Sequence, residues 1–316
     1  MKYFTDLELE CSAAFQELMP CWHIYSPENH EIIFPDIKAF KAGMSILGIA
    51  AKLCPDVIII TFELMSNHLH ITAAGTMEAV IRLFAMINKF LAGYLRFRGI
   101  NGNMTDLEFK VREIKTLDDL RNVICYNNRN GYVVNPDTTP FSYPWGANAY
   151  YFNPAAKKRF VESQKEVMSQ TRRRELIRCH DSDGMPNAPA LLDGYACPMD
   201  FCDVGLGERL FRNASHYFRE ISRNVESQRQ IATEICERLF YTDDDLFAVV
   251  QKTCRDKYGL SRPALLGTEA KTEVANMMHF EYNASNKQIS RILKMDIAIV
   301  ESMYPGIVKP GNQSQN

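Results

Sequence analysis

The sequence predicts an α+β protein: a ferredoxin-like split βαβ domain, then a basic connector, then an all-helical C-terminal domain. Three observations predict it. Strand-like and helix-like runs alternate between residues 21 and 130 in the order β-α-β-β-α-β-α. Prolines at 136, 140 and 144 close that series, and a strongly basic stretch follows them. From about residue 232 only helical periodicity remains.

CWHIYS (21–26) reads as a strand, and DIKAFKAGMSILGIAAKL (36–53) carries helical periodicity. Val57 to Leu64 (VIIITFEL) is β-branched and apolar, as a central strand is. Ser66-Asn67 makes a turn, and His68 to Thr72 continues as a second strand. MEAVIRLFAMINKFLAGYLRF (77–97) spaces its apolar residues by three and four, which predicts a long helix. FKVREIK (109–115) alternates like a strand. TLDDLRNVICYNNRN (116–130) opens on a Thr N-cap with acids in its first turn, so it is predicted helical.

Beyond that, residues 157–178 hold eight basic and three acidic side chains, the pattern of a solvated helix face. Residues 180–194 are turn-rich. Phe211, Ala214, Phe218, Ile221 and Val225 form a helical stripe flanked by Arg212, Arg219 and Arg223. Residues 283–304 fit two short helices around a turn at Lys294-Met295-Asp296, with Ser285 or Asn283 capping the first and Asp296 the second. That pattern suits a DNA-reading helix-turn-helix carrying Lys287, Arg291 and Lys294, and it suits a plain helical hairpin equally. The domain reading is therefore 1–150, a connector over 151–231, a helical domain over 232–308, and a disordered tail over 309–316.

Bulk composition narrows the function classes. The chain has 316 residues, more than one core usually spans. Hydrophobic residues make up 46% and charged residues 23%, an ordinary globular composition. A net charge of −2 gives no overall pull toward nucleic acid, so a polyanion must be met by local patches. Nine irregularly spaced cysteines point to reduced thiols in a cytoplasm. The opening residues lack an apolar signal core, and no apolar run is long enough for a bilayer, so no membrane role is expected.

The candidate chemistry begins at LMSNHLHI (64–71). Side chains on a strand alternate, so His68 and His70 project from one face and can share a metal. The second piece is CYNNRNG (125–131). Tyr126 lies away from the apolar stripe of its helix, and Asn130 sits one turn later beside it. A tyrosine near a metal is a candidate nucleophile, and an amide oxygen from Asn130 is a candidate third ligand. Two imidazoles and an amide oxygen, with no cysteine, suit Mg²⁺ or Mn²⁺.

Together, SNHLHI, YNNRNGYVV some 55 residues later, and PFSYPWG (140–146) resemble the single-tyrosine HUH transposases, more narrowly their REP-associated tyrosine transposase branch. Ser66, Asn67, His68, Leu69 and His70 match that family's turn and His-hydrophobic-His. Tyr126 and Asn130 match its tyrosine four residues before an asparagine. Phe141, Ser142 and Trp145 match its later Pro/Ser/Trp stretch loosely. The likeness covers about 20–150. Gly131 departs from it, standing where the family usually has proline; glycine is expected to stop the helix there by entering the left-handed region. The last part of the chain resembles the helical DNA-binding domain of bacterial replication initiators.

The resemblance implies an HUH domain that acts on single-stranded or hairpin DNA. His68, His70 and Asn130 would bind the metal, and Tyr126 would attack a backbone phosphate to leave a 5′-phosphotyrosyl link. Arg96, Arg98, Lys110 and Arg112 would hold the DNA backbone or simply solubilise the surface. Family members act as monomers or homodimers. Two other readings stay open. One is a catalytically silent DNA-binding regulator on the same domain. The other is a structural zinc site from Cys179, His180, Cys197 and Cys202, which lack a CxxC pair. His23, His30, His216 and His279 read as surface or packing residues.

Overall fold

Four short runs of β-branched and aromatic residues meet in one sheet. The computed structural model describes residues 2–26, 32–100, 109–134, 142–163, 166–223, 231–232 and 241–305. The chain divides into two compact units, residues 1–237 and 238–316.

The first unit opens with α1 (Lys2–Leu18), then β1 (Cys21–Tyr25), α2 (Ile37–Leu53), β2 (Ile58–Leu64), β3 (Leu69–Ala74), α3 (Met77–Phe97), β4 (Lys110–Ile114) and α4 (Leu117–Val134). The sequence reading assigns nothing to 2–18; helical spacing buries Cys11, Phe15 and Leu18 there. Asp36 caps α2 through Ala39 N–H and Thr76 caps α3 through Ala79 N–H. Thr116 Oγ1 accepts from Asp119 N–H at the start of α4, as expected.

The strand order is β2-β3-β1-β4, with every neighbouring pair antiparallel. Side-chain alternation then gives the sheet two unlike faces. Leu69, Ile71 and Ala73 point one way, where Gly43 lets α2 approach Phe34 and Leu64, and α3 packs on α2. His70 and Thr72 point the other way. Tyr25 and Glu63 stand opposite His70, and His23 stands opposite Thr72. On β4, Lys110 and Arg112 stand opposite Tyr25 and His23. This second face is polar, and over β2 and β3 it is buried under α4. Asn127 Nδ2 donates to Thr72 Oγ1 at 2.8 Å, and Thr61 Oγ1 donates to Asn128 Oδ1.

The rest of the unit contains a 3-10 turn (Asn148–Tyr150), α5 (Pro154–Ser163), α6 (Gln170–Ile177), the two-residue strands β5 (Leu191–Leu192) and β6 (Tyr195–Ala196), α7 (Pro198–Phe201), α8 (Val204–Arg209) and α9 (Ala214–Arg223). The division differs from the sequence reading, which ends a domain at 150 and makes 151–231 a connector. The reason is that β2 is an edge strand and α4 has a second side to cover. Tyr151 OH donates to Ile60 O at 2.8 Å, and Asp203 N–H to Ile59 O at 2.8 Å. Over α4, Arg121 Nε donates to Leu210 O at 2.7 Å and Asn128 Nδ2 to Tyr217 OH at 2.8 Å. The basic run is mostly the solvated surface expected of it, but Arg173 is buried and donates to Met168 O.

The second unit holds α10 (Asp243–Tyr258), a 3-10 turn (Pro263–Leu265), α11 (Thr268–Tyr282), α12 (Asn286–Leu293) and α13 (Ile297–Met303). Ser285 and Gln288 form a capping box on α12, and Asp296 caps α13 through Ala298 N–H. Lys294 ends α12 at φ 52°, and Asn283, the other candidate cap, ends α11 at φ 50° instead. The tail over 309–316, His30 and Phe141 lie outside the described residues. No described helix is long and apolar enough to cross a membrane.

Candidate functional site

The turn at Ser66-Asn67 is fixed by its backbone. Ser66 O accepts from Ile33 N–H and Phe34 N–H, and Met65 N–H donates to His68 O. The turn delivers His68 and His70 to one side of the sheet with ring centroids 5.0 Å apart and planes at 90°. His68 is 8% exposed and His70 fully buried. His68 Nδ1 lies 2.8 Å from Asn67 Oδ1, an acceptor, so His68 donates from Nδ1 and keeps the Nε2 lone pair.

Helix α4 brings the other two residues over the same face. The Tyr126 ring centroid is 5.6 Å from that of His70, edge to face. Asn130 Nδ2 lies 3.5 Å from His70 Nε2. The four residues singled out from sequence therefore converge. Tyr126 is 1% exposed, because its ring is held between α4 and the sheet, against His70 and His23. A DNA phosphate has no access to its hydroxyl in this conformation.

Gly131 differs from the sequence reading. It does not end the helix, which runs on to Val134, and it does not take a left-handed φ. Glycine is required there by close approach. A Cβ would run into Glu63 Oε1 and the Tyr143 ring. Glu63 Oε1 accepts from Gly131 N–H at 3.0 Å, and Tyr143 OH donates to Leu64 O at 2.7 Å. Burial pushes the Glu63 carboxyl well above the usual range, and its Oε2 meets no partner among the described residues.

Two residues outside the site read from the sequence belong to this layer. Glu63 is the cross-strand neighbour of His70. His23, read as surface or packing, is fully buried with Nε2 3.2 Å from His70 Nδ1. The period-2 placement of His23 and Tyr25 on β1 was the available signal, but only the strand register brings them to His70. Of the remaining histidines, His216 is buried in α9 and His279 stacks on Tyr304.

The predicted DNA contacts fall in three places. Lys110 and Arg112 share the face of His70, two strands over; Lys110 is exposed and Arg112 pairs with Asp119 at 2.9 Å. Arg96 and Arg98 lie at the end of α3, in the other layer; Arg98 bonds Tyr94 OH and Asp36. Lys287, Arg291 and Lys294 are exposed in the second unit, where Arg291 pairs with Asp243 at 3.0 Å.

A metal fits the first cluster as follows. With Nδ1 of both rings engaged, His68 offers Nε2, and turning the Asn130 amide away from His70 Nε2 frees that nitrogen and presents Asn130 Oδ1 beside it. Two imidazoles and an amide oxygen are a donor set for a divalent cation. Among the described residues, no three His, Cys, Asp or Glu side chains are grouped to hold a metal. The zinc reading fails on that ground. Cys202 Sγ donates to Ile60 O, Cys197 Sγ donates to Tyr150 OH, and His180 pairs with Asp183. Compared with known proteins, the chain matches no family model, no curated protein and no solved structure.

Proposed function

We propose that the chain cleaves and rejoins single-stranded or hairpin DNA through a 5′-phosphotyrosine on Tyr126. The observation that carries the reading is convergence. His68, His70, Tyr126 and Asn130 come from two segments about 55 residues apart, and they meet on one polar sheet face. The sheet order and its antiparallel neighbours support a ferredoxin-like split βαβ unit of the HUH kind.

In this reading the Tyr126 oxygen bonds to phosphorus, the P–O3′ bond breaks, and the phenolic proton ends on the departing 3′-oxygen. Rejoining reverses the step, because the phosphotyrosyl link conserves the bond energy. Mg²⁺ or Mn²⁺ on His68, His70 and Asn130 would polarise the phosphate as a Lewis acid. Asn67 holds the His68 ring for that role. The burial of Tyr126 requires α4 or its cover to yield before a phosphate enters. The same burial favours a second reading, a DNA-binding regulator that no longer cleaves.

Tyr126→Phe separates the two, since it deletes one oxygen and little packing. With a labelled hairpin oligonucleotide and Mn²⁺, the unaltered chain forms an SDS-resistant adduct and Tyr126→Phe forms none while still binding DNA. Absence of adduct from the unaltered chain, with DNA binding intact, establishes the regulator. An adduct that persists in Tyr126→Phe removes Tyr126 as nucleophile.

A further inference from the structure

His70 has a hydrogen-bonding neighbour on each ring nitrogen. His23 Nε2 lies 3.2 Å from Nδ1, and Asn130 Nδ2 lies 3.5 Å from Nε2. With the Asn130 amide nitrogen turned to His70 in the metal-free chain, Nε2 is the acceptor and carries no proton. In a neutral ring the proton then sits on Nδ1 and is donated to His23 Nε2. His23 in turn accepts at Nε2 and carries its own proton on Nδ1. The two rings lie 5.4 Å apart, 25° from parallel, inside the buried layer.

We infer that His23 is a positioning residue: it locks His70 in the Nδ1–H tautomer and aims its Nε2 lone pair at the place where a divalent cation would bind. The inference deepens the proposed metal-dependent reaction, and its cation arm rests on that reading. The tautomer arm does not. The burial of His23 makes the lock stiff, because no water competes for His70 Nδ1–H in a fully buried pair. It also explains why a histidine occupies a strand position that otherwise faces Thr72 and α4. An apolar residue would leave His70 Nδ1 without this acceptor, and the ring could turn its proton to Nε2. A metal-binding imidazole commonly has its other nitrogen tied to an orienting partner of this kind.

The test uses the full chain in two measurements. Nitrogen-15 NMR of histidine-labelled, metal-free protein should show His70 protonated on Nδ1 and bare on Nε2. His70→Gln assigns the signals. A bare Nδ1 and protonated Nε2 would overturn the inference, and this arm needs no variant at His23. The second measurement is Mn²⁺ affinity by electron paramagnetic resonance. His23→Phe should weaken Mn²⁺ binding by about 10- to 100-fold. His23→Gln, whose amide oxygen can accept from His70 Nδ1, should recover most of it. If His23→Phe binds Mn²⁺ like the unaltered chain while His68→Ala loses it, His23 does not position His70 and the metal reading stands. If the unaltered chain binds no Mn²⁺ yet His70 is the Nδ1–H tautomer, the lock is upheld and the metal reading fails.

Discussion

Gly131 shows how close packing at one residue governs the site. Adding a methyl there has two opposed effects. Alanine favours a helix interior over glycine by about 1 kcal/mol. Overpacking a filled interior costs about 1–3 kcal/mol. Here the neighbours cannot retreat, because the Glu63 carboxyl group is buried on Gly131 N–H and the Tyr143 hydroxyl is tied to Leu64 O. Gly131→Ala is therefore expected to destabilise the protein by about 1–2 kcal/mol, read as a lower midpoint in chemical denaturation. An unchanged midpoint would mean the contact is loose. The histidine pair was legible because its cause is local: alternation on one strand. Tyr126 and Asn130 were legible for the same reason, one helical turn apart. His23 and Glu63 were not, because they reach His70 through strand register, which pairs residues 47 and 7 positions away.

At the scale of elements, α4 decides how much of the site could be read. Its polar run YNNRN looks like an exposed helix face, yet Tyr126, Asn127, Asn128 and Arg129 are all buried. A sequence pattern reports what a helix can bury against water. It does not report that a second polar layer, from a segment 89 residues on, satisfies the outer side. Tyr217 in α9 is the centre of that layer. Its hydroxyl accepts from Asn128 Nδ2 and donates to Asn148 Oδ1 at 2.5 Å. Tyr217→Phe removes one partner from each of two buried amides and should cost about 1–3 kcal/mol in thermal or chemical unfolding. His216 beside it gives the layer a pH dependence. Burial, then the nearby Arg212, lowers its pKa to about 4 from 6.5. The unfolded chain takes up this proton more readily than the folded one. The stabilisation is thus full above pH 6.5 and is lost as pH falls from 6.5 toward 4, on the order of 1–3 kcal/mol. His216→Gln should flatten that limb of the stability profile; an unaltered slope would show that His216 titrates normally.

At the scale of the whole molecule, the two units make separable demands. The core sheet and its helix order were readable, because each strand and helix carries its own period. The boundary at 150 was not, because the residues that close α4 and extend β2 read as basic surface and loop. A fragment ending at 150 would lack Leu210 and Tyr217, leaving Arg121 and Asn128 without those partners. It should unfold without a cooperative transition, whereas 1–237 should unfold cooperatively and keep whatever cleavage the full chain has. In the proposed reading the second unit adds affinity for DNA. Each phosphate neutralised on duplex DNA contributes about 0.9 to the slope of log K against log salt. Lys287 and Lys294 are exposed, and Arg291 is already committed to Asp243, so two cations are the ones to count. Replacing all three with alanine should flatten the slope for hairpin DNA by about 2 and leave cleavage of a short single strand unchanged. A slope identical to that of the unaltered chain would make the helices over 286–303 a plain hairpin and leave the proposed DNA contacts to the unit that carries Tyr126.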